Sequence, residues 1–308
     1  MINTLTVALV IVLIVFVSFY TKSRTPHKVD DDDLDAEERK VAPVWECPNG
    51  TATEFLHLCG KIERMKLPKL VPRTVLFVSH NHTKLPKYAE MAIEAYRKYS
   101  RQFEHVEFIE MRHDVAESAI SPYWLRVCDF VRLFARYPEG TIIGYMDLDT
   151  MIRPEYFGLP IHLILNAIDR SVRWSYDVYV GCCPFQNDEN YLNSGVIFAR
   201  NTQWSRTFFN IWLSRYPAES WIKHPRTHKW ICRRKGKYPC NWAGEAYEQG
   251  VLNKLWAEDT LSVTQRLCRV HRSVFSEVDL SRPSFMVHLM RGGDDYRERI
   301  FKKFLSLH

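Results

Sequence analysis

Apolar and polar positions fall in blocks along this chain, and the blocks predict its elements. Residues 5–20 carry no charge and are dominated by Val, Ile, Leu and Phe. With residues 2–4 they approach the ~20 apolar positions needed to cross a bilayer. Val17-Ser18-Phe19-Tyr20 lacks the small residues of a cleavage site, so 1–21 reads as an uncleaved membrane anchor. Residues 22–44 are polar, with Pro26, Pro43 and an acidic run, and read as a flexible stem. Residues 74–79 (T-V-L-F-V-S) then form a short apolar run bounded by polar positions, the pattern of a buried strand. Residues 88–99 place Ala, Met, Ile and Tyr on one helical face, and 106–109 make a second strand. Residues 123–137 make a long amphipathic helix ended by Pro138 and Gly140. This β-α-β-α order argues for one α/β domain over 45–308, a sheet covered by helices.

The following run, T-I-I-G-Y-M-D-L-D-T-M-I over 141–152, contains two acids one residue apart. On a strand Asp147 and Asp149 share a side, because side chains alternate with a period of two. Two such carboxylates repel, and burying them is costly unless a cation or hydrogen-bond donors compensate. Hard oxygen ligands suit Mg²⁺ or Mn²⁺, which keep positions open for phosphate oxygens. The expected chemistry is a metal-held diphosphate at the C-terminal edge of an α/β sheet. Asp33-Leu34-Asp35 repeats the tripeptide inside V-D-D-D-D-L-D-A-E-E-R-K. No strand precedes that copy, and it reads as solvated linker.

Composition sets bounds. With 46% hydrophobic and 13% aromatic residues in 308, the chain has ample material for a core. Its formal charge of +6 is modest, and part of it sits in H-P-R-T-H-K-W-I-C-R-R-K-G-K over 224–237. No nucleic-acid reader motif accompanies that run, so nucleic acid is not an expected partner. The run reads as a solvated loop or a patch that steers anionic substrates. Lys22, Arg24 and Lys28 follow the anchor, which by charge alone places the C-terminal side in the cytosol. Against that stand the glycosylation sequons Asn49-Gly50-Thr51 and Asn81-His82-Thr83. Eight cysteines include the close pairs Cys47/Cys59 and Cys232/Cys240, each able to close a loop by disulfide in an oxidising lumen. No paired C-x-x-C arrangement points to zinc. The expectation is a single-pass type II membrane protein with a lumenal domain, a cytosolic domain being the alternative.

Further candidates lie on either side of the two acids. Asp129 and Arg132 stand one turn apart on the helix before them. Arg132 would reach sugar or phosphates while Asp129 holds it or accepts sugar hydroxyls; a plain intrahelical ion pair is the alternative. In L-N-S-G-V-I-F-A-R over 192–200, Gly195 lets backbone and Asn193 approach a ligand closely. A helix over 203–216 follows. E-A-Y-E-Q-G-V-L-N-K-L over 245–255 is helical in pattern apart from Gly250. F-M-V-H-L-M-R-G-G over 285–293 reads as an apolar strand with His288 embedded in it. A lone His serves structure in most proteins, but beside a suspected metal site imidazole is also a ligand. Without a Walker or G-x-G-x-x-G loop, phosphate binding falls to metal and basic side chains.

A helix with an acid and Arg, then D-x-D, N-x-G leading a strand, [DE]-Q-x-x-[IL]-N and a late His before glycines: this order resembles the GT-A glycosyltransferases. N-S-G-V-I-F-A-R-N over 193–201 with Q-W-S over 203–205 is most similar to the retaining fungal α-galactosyl/α-mannosyltransferase and plant xylosyltransferase family. Glu248-Gln249 through Asn253 is similar to the D-Q-x-x-L-N of the glycogenin-like family. The likeness spans about 74–295. It implies a GT-A, Rossmann-like mixed sheet flanked by helices in a Golgi or ER membrane protein. It also implies transfer of a hexosyl or pentosyl group, with retention, from a nucleotide-diphosphate sugar to a glycan or glycoprotein. Asp149 would hold Mn²⁺ (or Mg²⁺), Asp147 would ligate it or the ribose, and His288 would complete the set. Asp129, Arg132, Asn193 and Gly195 would bind donor, with Gln249 or Glu248 near the anomeric carbon and Arg132 assisting. Two departures are visible: Glu248 stands where the family has Asp, and Gly292 comes one residue late after His288. Rival expectations are a catalytically inactive, membrane-tethered glycan-binding protein and a metal-dependent phospho- or nucleotidyltransferase using the same acids.

Overall fold

A computed structural model describes residues 53–65, 71–114, 116–172, 175–182, 191–233, 240–241 and 243–306, all inside the compact unit Asp35–His308. Along the chain run α1 (Thr53–Glu63), β1 (Thr74–His80), α2 (Lys87–Ser100), β2 (Val106–Arg112), α3 (Pro122–Arg136) and β3 (Ile142–Met146). Then come β4 (Thr150–Ile152), α4 (Ile161–Val172), β5 (Val178–Cys182), β6 (Leu192–Arg200) and α5 (Gln203–Ser214). The hairpin β7 (Trp221–Lys223) and β8 (Trp230–Cys232) precedes α6 (Glu248–Ala257), β9 (Leu267–Val270), α7 (Arg272–Phe275), β10 (Met286–His288) and α8 (Asp294–Ser306). The expected anchor, stem, Asn49 and Cys47 lie outside the described residues. Among the described residues no helix is long and apolar enough to cross a membrane.

Six strands pair in the order β2-β1-β3-β6-β5-β9. β1 is parallel to β2 and β3, and β9 to β5, while β6 runs antiparallel between β3 and β5. β1 and β3 are apolar at successive positions because helices cover both sides of the sheet. Val75, Phe77, Ile143 and Tyr145 face α3, α5 and α6, with Phe130, Phe209 and Trp212. Leu76, Val78, Ile142 and Met146 face α1, α2, α4, α7 and α8, with Phe55, Tyr96, Ile164, Phe275 and Phe301. Phe130 and Phe209 pack at 4.4 Å between ring centroids; burying each such ring is worth about 1.5–3 kcal/mol. The domain is a mixed α/β, Rossmann-like sandwich of the expected class.

Local signals explain the helix ends. Pro122 opens α3, where a missing N–H leaves nothing unsatisfied. Gly140, at φ +82°, turns the chain from α3 into β3. Thr202 caps α5 by accepting the Ser205 N–H at 3.2 Å. Cys232 and Cys240 are joined in a disulfide, as their spacing suggested.

The acids do not sit on a continuous strand. β3 ends at Met146, and Asp147 to Asp149 form a turn before β4. Asp147 N–H donates to Gly195 C=O at 2.7 Å as the last rung against β6. The Thr150 hydroxyl then bonds back to Asp147 C=O at 2.7 Å. From α2, the buried Tyr96 hydroxyl donates to Thr150 C=O at 2.6 Å and fixes the turn. β4 pairs antiparallel with β10, setting His288 opposite Thr150. The strand expected over 285–293 is confined to the three residues that pair with β4 on one side, with a single bridge from Glu277 to Val287 on the other.

Candidate active site

A cleft of about 850 Å³ opens where β1 and β3 end, lined among others by Ser79, His80, Arg126, Asp147, Asp149 and Gln249. Asp147, Asp149 and His288 converge in it, each offering a ligand atom within 4.8 Å of the others. His288 Nε2 lies 3.2 Å from Asp149 Oδ1 and 3.9 Å from Asp147 Oδ2. The outer oxygens are held by cations. Arg297 on α8 stands 3.2 Å from Asp149 Oδ2, and Arg126 on α3 stands 3.0 Å from Asp147 Oδ1. Burial works to raise the Asp149 carboxyl, but His288 and Arg297 outweigh it and hold it below the usual carboxylate range. Burial also pushes the Tyr145 phenol well up, so it stays protonated and donates to Asp147 Oδ1.

Arg126 organises the opposite wall. Its guanidinium donates to Ser194 C=O at 3.0 Å, lies 3.5 Å from Glu248 Oε1 and stacks over Tyr145 at 4.6 Å. The Ser194 hydroxyl donates to Glu248 Oε1 at 2.9 Å, and its N–H to Gln249 Oε1 at 3.0 Å. Burial raises the Glu248 carboxyl, with Arg126 and Ser194 pulling against it; Oε2 is buried without a partner among the described residues. Three indoles steer the chain into α6: Trp124 and Trp221 donate to Ala246 C=O at 3.1 and 2.9 Å, Trp212 to Glu248 C=O at 3.0 Å. Asn253 closes the join, accepting Leu192 N–H at 2.7 Å and donating to Leu192 C=O at 3.0 Å. Asn193 Oδ1 accepts Gly195 N–H at 2.9 Å. Any side chain at Gly195 would collide, its Cβ falling 2.2 Å from His288 Cε1 and 2.8 Å from Asp147 Oδ2.

Seven of the residues singled out in the sequence therefore meet: Asp147, Asp149, Asn193, Gly195, Glu248, Gln249 and His288. Asp129 and Arg132 stand apart. Asp129 is fully buried and accepts from Ser79 Oγ at 2.6 Å and His113 Nε2 at 2.7 Å. Arg132 has a 58% exposed side chain and pairs with Asp129 at 3.3 Å. The reason is distance along the helix. The cleft lies at the start of α3, where Pro122, Tyr123 and Arg126 line it. At 1.5 Å per residue, Arg126 is about 6 Å from the first residue, Asp129 about 10 Å and Arg132 about 15 Å. Arg126 and Arg297 were not singled out from the sequence. For Arg126 a signal existed, since a helix following a parallel strand begins at the edge where ligands bind.

The donor set suits a hard or borderline divalent cation. Two carboxylate oxygens and one imidazole nitrogen face one another, and the outer oxygens of the carboxylates are held by Arg126 and Arg297.

A model of the galactosyl transferase GMA12/MNN10 family matches residues 72–259, more than half of the chain. Among solved structures, a glycosyltransferase involved in the glycosylation of the major capsid of PBCV-1 aligns with a TM-score of 0.53 at 14% identity. That alignment covers 75% of this chain and 100% of the other; at such identity it shows a shared fold, of GT-A-like type. No curated protein matches.

Proposed function

This chain belongs to the galactosyl transferase GMA12/MNN10 family of glycosyltransferases, and on that premise we propose that it moves a sugar, with retention, from a nucleoside-diphosphate sugar to a glycan or glycoprotein. The observation that carries the proposal is the meeting of Asp147, Asp149 and His288 in the cleft. These three would hold Mn²⁺ or Mg²⁺. When bound, the cation supplies Lewis-acid relief of charge on the departing diphosphate. Arg126 and Arg297 flank the carboxylates and would orient the diphosphate, the part first given to Arg132. Asn193 would approach the sugar, while the bare backbone at Gly195, first expected to approach the donor, makes room for His288 and Asp147. Glu248 and Gln249, anchored through Ser194, would face the anomeric carbon and stabilise positive charge there during front-face attack.

A panel of nucleotide sugars incubated with the chain and Mn²⁺ tests this. The expected product is nucleoside diphosphate from one donor. Release of monophosphate and sugar phosphate instead would identify a phospho- or nucleotidyltransferase, and binding without turnover a glycan-binding protein.

We further place residues 1–21 as anchor, 22–44 as stem and 45–308 as a catalytic domain in the Golgi or ER lumen. Expression of the full chain in a eukaryotic secretory system should then give a glycosidase-sensitive mass shift. Asn81 lines the cleft, where an attached oligosaccharide would crowd the donor. The shift is therefore expected to vanish in Asn49→Gln and persist in Asn81→Gln. An unshifted wild-type band would favour a cytosolic domain.

A further inference from the structure

Sugar transfer as proposed makes no use of the β7–β8 hairpin, whose two faces are reversed from what water favours. Ile222 pairs with Ile231 on its middle rung, with Trp221 and Cys232 on one side and Lys223 and Trp230 on the other. Side chains alternate along a strand, so the two isoleucines share the face opposite the other four. That face is the outer one. Ile222 is 42% exposed and Ile231 51%, while Trp221 is buried and Lys223, Trp230 and Cys232 are half-buried. Among the described residues four large hydrophobic side chains are exposed, and two of them form this one rung. The lysine points inward: Lys223 Nζ donates to Ala116 C=O at 2.6 Å and Ser118 C=O at 3.0 Å, and lies 5.8 Å from the Trp230 ring centre. Trp221 packs against Tyr123 and Tyr247, both lining the cleft, at 5.6 and 5.2 Å, so the hairpin is seated firmly beside it. A hairpin in water ordinarily covers its apolar positions and solvates its lysines. An apolar rung held outward marks a surface that meets something.

Charge identifies the partner. Arg226 and Lys229 are exposed in the connection between the two strands, and Arg233 is exposed just after β8. Between Glu219 and Glu245 the sequence carries seven Lys and Arg and no acid, so nothing within that stretch offsets them. The matching surface is anionic above and apolar beneath, the layering of a bilayer that contains acidic phospholipid. Two isoleucines are too little for a soluble protein partner, whose stable interface takes about 800 Å² from each side. For a chain held to the bilayer by residues 1–21 a weak contact suffices. A stem over 22–44 has a reach of about 25–30 Å and keeps the membrane surface at high effective concentration. We propose that the β7–β8 hairpin is a second membrane contact, in which Ile222 and Ile231 enter the headgroup layer while Arg226, Lys229 and Arg233 meet the phosphates of acidic phospholipids. The inference rests on the anchor proposed above.

Reconstitution of the full chain in nanodiscs of phosphatidylcholine, with or without phosphatidylserine, tests it, with hydrogen exchange followed at residues 221–233. Exchange in the discs with phosphatidylserine is expected to be slower by at least about 3-fold than in neutral discs or in detergent. High salt should remove most of the difference between the two kinds of disc. The double variant Ile222→Ser/Ile231→Ser, and separately Arg226→Gln/Lys229→Gln, should exchange like wild type in detergent and lose the slowing in discs. A hairpin that serves structure alone would exchange alike in all three settings. Entry into discs without lipid-dependent slowing at 221–233 would overturn the membrane contact and leave the anchor standing. Failure of the chain to enter discs would overturn both. Slowing by soluble polyglutamate and by neither lipid would give the face to an acidic polypeptide, and so overturn the contact with the bilayer.

Discussion

Asp149→Ala is expected to leave a folded chain whose sugar transfer has fallen at least about 10²-fold, the scale of a lost electrostatic stabiliser. Asp149 touches His288 with one oxygen and Arg297 with the other, both at 3.2 Å. Its removal would break the proposed ligand set and take from Arg297 its carboxylate partner in the cleft, while Arg297 keeps its bond to Leu289 C=O. Transfer at saturating donor, with circular dichroism as the folding control, measures the effect. Asp33→Ala, in the same tripeptide elsewhere, should change nothing; near-normal activity in Asp149→Ala would refute the assignment. His288→Ala is the companion test, because a core histidine and a ligand behave differently. A lost ligand weakens Mn²⁺ binding, and activity returns partly at high Mn²⁺ as water fills the place. A Mn²⁺ titration identical to wild type would leave the two acids as the protein's share of the site.

Arg126→Leu should be the most destabilising single change in the cleft. The guanidinium serves Asp147, the Ser194 carbonyl, Glu248 and the Tyr145 ring together. Leaving buried carboxylates without their cation costs about 3 kcal/mol or more. For a domain of this size that corresponds to a fall in melting temperature of roughly 6–12 °C. Arg126→Lys keeps the charge but not the planar fork or the stack, and should lie between. A melting temperature within 2 °C of wild type, on the order of 0.5–1 kcal/mol, would mean that Tyr145 and Ser194 suffice to hold the acids.

Short-range pattern carried the first half of the domain. β1, α2, β2 and α3 fall where short apolar runs and a 3.6-residue period placed them. The turn at Asp147 could not be seen that way. It is made by Tyr96 from α2 and Gly195 from β6, partners remote in the chain. β9 and β10 are short strands whose existence depends on the strands they meet, β5 and β4. The acids, His288, Asn193 and the Glu248-Gln249 pair were legible because their chemistry is unusual for the elements that bear them. Arg126 and Arg297 were not, because an arginine on an amphipathic helix looks the same whether it faces solvent or a carboxylate. The choice of Asp129 and Arg132 shows the same limit. Their spacing told that they share a face, but not how far down the helix the cleft reaches.

The contact at Gly195 has a consequence for tracing descent. Carboxylates can be lost one at a time by drift and leave a chain that still looks intact. A methyl group at this one position displaces the imidazole and an acid together, since it has room for neither. In any descendant of this chain, a residue other than glycine here is expected to accompany loss of the Asp147–His288 arrangement, whatever remains of its two aspartates.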